Sequence, residues 1–149
     1  MPAKNAAKYI DQSIISILSQ TYTDIELIIF NDNSIDNTKE IINDFKKMDK
    51  RIRLIDSIKS VGISNALNSS IHKAKGKYIA RMDADDISYK SRIEKQKKFL
   101  EENNLDICGS QIKCFTEDNC KLFKILDLPL ENKLIKYSML FMNPFAHPT

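Results

Sequence analysis

Apolar and polar positions along this 149-residue chain switch repeatedly between two periods. Ala7, Ile10, Ile14, Ile17 and Leu18 recur at helical spacing, with Asn5 placed as the N-cap. Residues 25–30 form a short isoleucine-rich run, the pattern of a strand buried on both faces. A second helix is predicted to begin near Asp36 and to turn Ile41, Ile42 and Phe45 inward. A short strand at 53–56 precedes a third helix marked by Ile63, Ala66, Leu67 and Ile71 and closed by Gly76. Residues 77–82 read as the next strand, Ser91 caps a fourth helix through Ile93, Lys97 and Leu100, and a last strand is expected within 106–115. Strands alternating with helices in this way predict an α/β fold with a mainly parallel sheet. No repeat or linker interrupts the order.

Two polar clusters fall just after predicted strands: Asn31-Asp32-Asn33-Ser34 and Asp83-Ala84-Asp85-Asp86. In open α/β sheets that edge is where ligands bind. Asp83 and Asp85 are one residue apart, so in an extended segment they project to the same side. Two hard oxygen donors there suit a Mg2+ or Mn2+ ion that bridges substrate phosphates. The plainer alternative is a solvated loop whose aspartates cap the following turn, and the apolar run before Asp83 favours the cation. The first cluster is no calcium loop, because Asn37 and Asn43 stand where glycine and glutamate are required. Asp36 as a cap accounts for Ser34, Asp36 and Thr38 but leaves Asp32 without a structural task. A carboxylate at that place can accept a hydrogen bond from the N–H of a uracil or guanine.

Composition narrows the chemistry. With 42% hydrophobic and 29% charged residues, three glycines and four prolines, the chain is neither disordered nor collagen-like. A net charge of +3, spread over 19 lysines and four arginines, argues against nucleic acid or an anionic membrane as partner. No apolar run approaches the roughly 20 residues of a bilayer span. The N-terminal residues lack the pattern of a secretion signal, so a cytoplasmic location is expected. Cys108, Cys114 and Cys120 recur every six residues, which matches neither zinc ligands nor a redox pair and reads as free thiols. Neither GxGxxG nor GxxxxGK[ST] occurs, so a bound diphosphate would be neutralised by metal rather than by a glycine nest.

The motifs together are similar to those of family 2 glycosyltransferases. The matching stretches are Pro2-Ala3-Lys4-Asn5, Asn31-Asp32-Asn33-Ser34-Ile35-Asp36-Asn37-Thr38, Val61-Gly62-Ile63-Ser64-Asn65-Ala66-Leu67-Asn68 and Gly76-Lys77-Tyr78-Ile79 leading into Asp83-Ala84-Asp85-Asp86. The closing Asn143-Pro144-Phe145-Ala146-His147-Pro148-Thr149 is similar too, so the likeness runs the length of the chain in order. It implies a GT-A fold, three layers α/β/α, as the nucleotide-sugar donor domain of a bacterial polysaccharide enzyme. It also implies Asp32 on the base of a nucleotide-diphosphate sugar, most often UDP, and Pro2 and Asn5 beside the nucleoside. Asp83, next to the nucleotide, and Asp85 would then hold Mg2+ or Mn2+ on the diphosphate. The reaction implied is inverting transfer of the sugar to a saccharide or lipid-linked acceptor, in the cytoplasm or at the inner face of the membrane.

The departures from the family pattern carry expectations of their own. An apolar strand normally precedes P-x-Y-N near the middle of the sheet. Here it is expected to be missing, leaving unpaired backbone and an open sheet edge through which copies could associate. Lys4 replaces the usual tyrosine, Asn31 the first aspartate, and Asn33 a glycine, which requires Asn33 to be left-handed. The general base is expected beyond Thr149, with His147 read as a loop residue and Arg81 as an ion-pair partner. Residues 1–149 are thus expected to be a partial donor domain, with a non-catalytic nucleotide-binding fragment as one alternative. A haloacid-dehalogenase-like phosphatase with Asp83 as nucleophile is another; a receiver domain lacks its later threonine and lysine.

Overall fold

The computed structural model describes residues 1–115 and 122–146, so Cys120 and His147 lie outside the described residues. The chain divides into two units, Met1–Lys98 and Phe99–Thr149. In the first, three parallel strands, β1 (Pro2–Ala3), β2 (Leu27–Asn31) and β3 (Ile52–Asp56), lie in the order β1-β2-β3. Every residue of β2 is buried, as its continuous apolar run predicts. Side chains alternate across a strand, so Leu27 and Ile29 join Ile10, Ile14, Ile17 and Ile42 in one core, while Ile28 and Phe30 are buried on the other face. Helices α1 (Ile10–Leu18) and α2 (Thr38–Met48) pack together over the first face. Helix α3 (Ile63–Lys73) packs on β1 and β2 and buries only the small residues Ala66 and Ser70; Ile63 and Ile71 stay half exposed. These are the three layers.

A strand, β1, is present at the N-terminal side of the sheet where none was expected. Pro2 and Ala3 pair with Phe30 and Asn31, and the ladder runs on through Met1, whose carbonyl accepts from Phe30 N–H and whose amino group donates to the Ile28 carbonyl, each at 2.9 Å. Residues 77–82, by contrast, form no strand. Tyr78 and Ile79 are left exposed, and only Met82 enters the core.

Several helix ends also differ from expectation. Tyr9, not Asn5, occupies the N-cap of α1, and Asn37 that of α2. Asp36 instead joins two loops: it accepts from the Thr38 N–H at 3.1 Å, the Thr38 hydroxyl at 2.5 Å and the Ala7 N–H at 3.1 Å. Ala74 ends α3, and Gly76 lies further on, donating to Glu26 at 3.1 Å.

Helix α4 (Arg92–Asn103) starts one residue after Ser91 and buries none of its side chains. In the second unit the strand expected within 106–115 is only β4 (Ile112–Phe115), paired antiparallel with β5 (Leu122–Leu126), and helix α5 (Asn132–Ser138) follows. Cys108 and Cys114 are free thiols. Among the described residues no helix is long and apolar enough to cross a membrane.

Candidate functional site

The loops after β1 and β2 each turn on a left-handed asparagine. Asn33 has φ 54°, the conformation that its place in a glycine position demands, and Asn5 in the loop after β1 has φ 50°. The loops are stitched together: Asn5 N–H donates to Ser34 Oγ at 3.0 Å and Ile35 N–H to Asn5 Oδ1 at 2.9 Å. Asn31 closes the strand end by donating to Asp56 at 2.7 Å.

Asp32, without a structural task on sequence alone, has one in the fold. Its buried carboxylate accepts from Val61 N–H at 2.6 Å, Ser60 Oγ at 2.8 Å and Gly62 N–H at 3.2 Å. It therefore shapes the turn that leads into α3, where Gly62 at φ 79° is the N-cap. Lys4 Nζ in turn donates to Ser60 Oγ at 2.7 Å. Burial pushes the Asp32 carboxyl up, but the Val61 amide, the Ser60 hydroxyl, the Gly62 amide and the Lys4 charge outweigh it and hold the group below its ordinary value. Asp36 behaves alike: burial raises it, and the Thr38 hydroxyl with the Ala7 and Thr38 amides brings it down.

For a carboxyl held lower in the folded than in the unfolded chain, the stabilisation is complete above the unfolded value and is lost as pH falls through the folded one. Melting temperature is therefore expected to drop steeply below the ordinary aspartate value of 3.8. Asp36→Asn should flatten that acid limb; a melting profile with the parent slope would refute the assignment.

The acidic segment is held by a helix rather than by a ladder. Ser13, Ser16 and Gln20, a buried polar stripe on α1 and the turn after it, grip it at successive points. Ser13 Oγ donates to the Ala84 carbonyl at 2.8 Å, Ser88 N–H to Ser16 Oγ at 3.0 Å, and Gln20 Nε2 to the Tyr89 carbonyl at 2.8 Å. Gln20 Oε1 also accepts from Ile93 N–H at the start of α4 at 3.0 Å. Sequence reasoning missed these positioning residues, although three polar residues at helical spacing beside an apolar stripe were a readable signal.

Carboxylate oxygens of Asp83, Asp85 and Asp86 lie within 4.8 Å of one another. Arg81 grips Asp83 with both terminal nitrogens, at 2.6 and 2.5 Å, the ion pair expected of it. With both oxygens so engaged, Asp83 is not the open nucleophile that a phosphatase requires. Asp85 is exposed. Burial first, then the charges of Asp85 and Asp83, push the Asp86 carboxyl up, against the pull of Arg81 and Arg92. Converging hard oxygen donors whose mutual repulsion a cation would relieve fit a small divalent ion.

Pro2, Asn5, Asp32, Asp83 and Asp85, every candidate site residue, line one cleft of about 340 Å³. That is at the lower end of the roughly 300–1,000 Å³ of small-molecule sites. Lys4, Tyr9, Ser60 and Ile63, which the motif reading did not select as ligand contacts, line it as well.

The sequence profile of the family described as Glycosyl transferase family 2 matches residues 1–145. An uncharacterized glycosyltransferase of Haemophilus influenzae is 41% identical over 99% of the chain and 48% of its own length. The O-antigen biosynthesis glycosyltransferase WbnJ of Escherichia coli is 39% identical over 95% of the chain and 55% of its own length. The chain thus spans about half the length of the curated relatives it matches. Among solved structures, Staphylococcus aureus TarS 1-349 in complex with UDP-GlcNAc matches with a TM-score of 0.65 at 21% identity, over 78% of this chain and 37% of that one. The mannosyltransferase PcManGT of Pyrobaculum calidifontis, in complex with GDP-Man and Mn2+, matches with a TM-score of 0.63 at 21% identity, over 78% of this chain and 34% of that one. The likeness of these structures to the chain is one of fold, the GT-A fold.

Proposed function

The chain belongs to glycosyl transferase family 2, and we propose that it is the donor-binding part of an enzyme that transfers a sugar, with inversion, from a nucleoside diphosphate to an acceptor hydroxyl during cell-surface polysaccharide synthesis. The observation that carries this reading is the meeting of Asp32 with Asp83 and Asp85 in one cleft, although Asp83 stands 51 positions after Asp32 in the chain. The name of the O-antigen relative supports the polysaccharide setting.

In this reading Asp32, pre-set as an anion by the 60–62 turn, accepts a hydrogen bond from the base N–H. Pro2 and Asn5 wall the nucleoside, and the stitched loops around Asn5 and Ser34 keep that wall rigid. Asp85, with Asp83 alongside, would hold a Mg2+ or Mn2+ ion. The bound ion supplies Lewis acidity that offsets the charge on the departing nucleoside diphosphate. Arg81 fixes the orientation of Asp83, and the Ser13–Ser16–Gln20 stripe fixes the backbone that carries Asp85. The acceptor is a saccharide or lipid-linked hydroxyl presented on the cytoplasmic side.

Titration calorimetry of the chain with UDP and with GDP, each with Mn2+ and with EDTA, tests this. One of the two nucleotides is expected to bind with Mn2+ and to lose most of its affinity in EDTA. Failure of both to bind, or binding indifferent to the ion, would overturn the reading.

A further inference from the structure

Lys4 stands where the family pattern has a tyrosine, and the fold gives it a defined place. Its ammonium donates to Ser60 Oγ at 2.7 Å, Ser60 Oγ donates to Asp32 Oδ2 at 2.8 Å, and all three residues line the cleft. A single hydroxyl therefore lies between a cation and a carboxylate that face the same ligand space. An ammonium carries three N–H donors, of which the Ser60 bond uses one. An ionised carboxylate has about four acceptor positions, of which Ser60, Val61 and Gly62 use three. What the pair offers the cleft is one acceptor beside a charged donor.

We propose that Lys4 is the second half of a base-reading pair, donating to the ring carbonyl adjacent to the N–H that Asp32 accepts, and so determines which nucleotides enter. The proposal rests on the nucleotide-sugar reading above and adds a specificity residue to it. The complementary ligand edge is an N–H next to a C=O. Uracil has it at N3–H with its flanking carbonyls, and guanine has it at N1–H beside C6=O. Cytosine and adenine place an unprotonated ring nitrogen at that point, which would face the Asp32 carboxylate lone pair to lone pair. A site that aims charged hydrogen-bonding groups at a ligand edge rejects the mismatched ligand more strongly than it rewards the matched one, because its own groups are then left unpaired. An aromatic residue at position 4 would offer a face to any base; an ammonium discriminates by edge.

The experiment is titration calorimetry of the chain in Mn2+ with UDP, GDP, CDP and ADP, for the parent, Lys4→Met and Lys4→Arg. The parent is expected to favour UDP or GDP over CDP and ADP by about tenfold or more, the scale of a hydrogen bond to a charged group. Lys4→Met should weaken the favoured nucleotide by about tenfold and leave CDP and ADP within about twofold, so that the ratio collapses. Lys4→Arg, which keeps the charge and the donors, should retain most of the ratio. UDP and GDP together report which base shares the edge. If Lys4→Met weakens all four nucleotides alike, Lys4 merely braces Ser60 and the proposal falls. Unchanged affinity for UDP and GDP in Lys4→Met overturns it as well. A parent chain that binds no nucleotide in Mn2+ defeats the nucleotide reading itself, an outcome distinct from parent binding that ignores Lys4. A urea titration of each variant identifies any affinity change that comes from lost folding.

Discussion

Asp85→Ala is expected to abolish the Mn2+-dependent part of nucleotide affinity, a loss of about 100-fold or more, while the fold keeps its stability. The size follows from what a divalent ion on phosphate oxygens contributes, several kcal/mol of charge neutralisation with no proton to move. The cleft has no glycine-rich phosphate loop to replace it. Asp85 is the exposed member of the acidic cluster, whereas Asp83 is engaged by Arg81. Removing Asp85 therefore leaves only the Arg81-bound Asp83 of that pair to meet the ion. Stability should stay within about 0.5 kcal/mol of the parent, because an exposed side chain is lost and a like charge beside Asp86 goes with it. Calorimetry in Mn2+ and in EDTA, beside a thermal melt, reads both quantities. Metal-dependent affinity retained within about threefold would remove Asp85 from the site.

Asp32→Ala should cost stability and binding together. Truncation leaves the Val61 and Gly62 N–H groups and the Ser60 hydroxyl without their acceptor; these donors are only partly buried, so water replaces it in part and the cost is about 1 kcal/mol. It also frees the turn that leads into α3, so nucleotide affinity is expected to fall by at least about tenfold. Asp32→Asn separates the two effects. It keeps the shape and one acceptor oxygen but turns its NH2 toward one of the two backbone N–H donors, so urea midpoints should recover only part of the loss, while the amide has no charge to offer a base N–H and binding should stay weak. Nucleotide affinity of the parent in Asp32→Asn would show that the carboxylate serves the turn alone. A parent-like urea midpoint in Asp32→Ala would show that the three hydrogen bonds to the 60–62 turn add nothing to stability.

The legible part of this protein was periodic or contiguous. β2 was visible because its apolar run is unbroken, and α1 to α4 because their apolar residues recur at helical spacing. The acidic segment and the Asn31–Thr38 loop were visible because their residues adjoin one another. Even the left-handed Asn33 could be expected, since local sterics set it. The misreadings have a different character. Residues 77–82 have the composition of a strand but form none, because strand formation needs a neighbour to complete the ladder and a segment's own composition does not supply one. The β4–β5 hairpin was missed because pairing across a connection leaves little trace in either strand alone.

The sequence by itself determined the α/β class, the four helices α1 to α4 and the residue types that converge on the cleft, because each depends on period or adjacency. Only the tertiary structure decided how those residues are used. Asp32 grips a turn some 30 residues away, Ser13 and Gln20 hold a segment some 70 residues away, and Lys4 reaches Ser60 across 56. Hydrogen bonds at such separations are set by chain closure and the packing of the layers, which no local pattern encodes. The physical reason for the division is that backbone period is a property of neighbours, whereas a binding site is a property of residues brought together only once the sheet has formed.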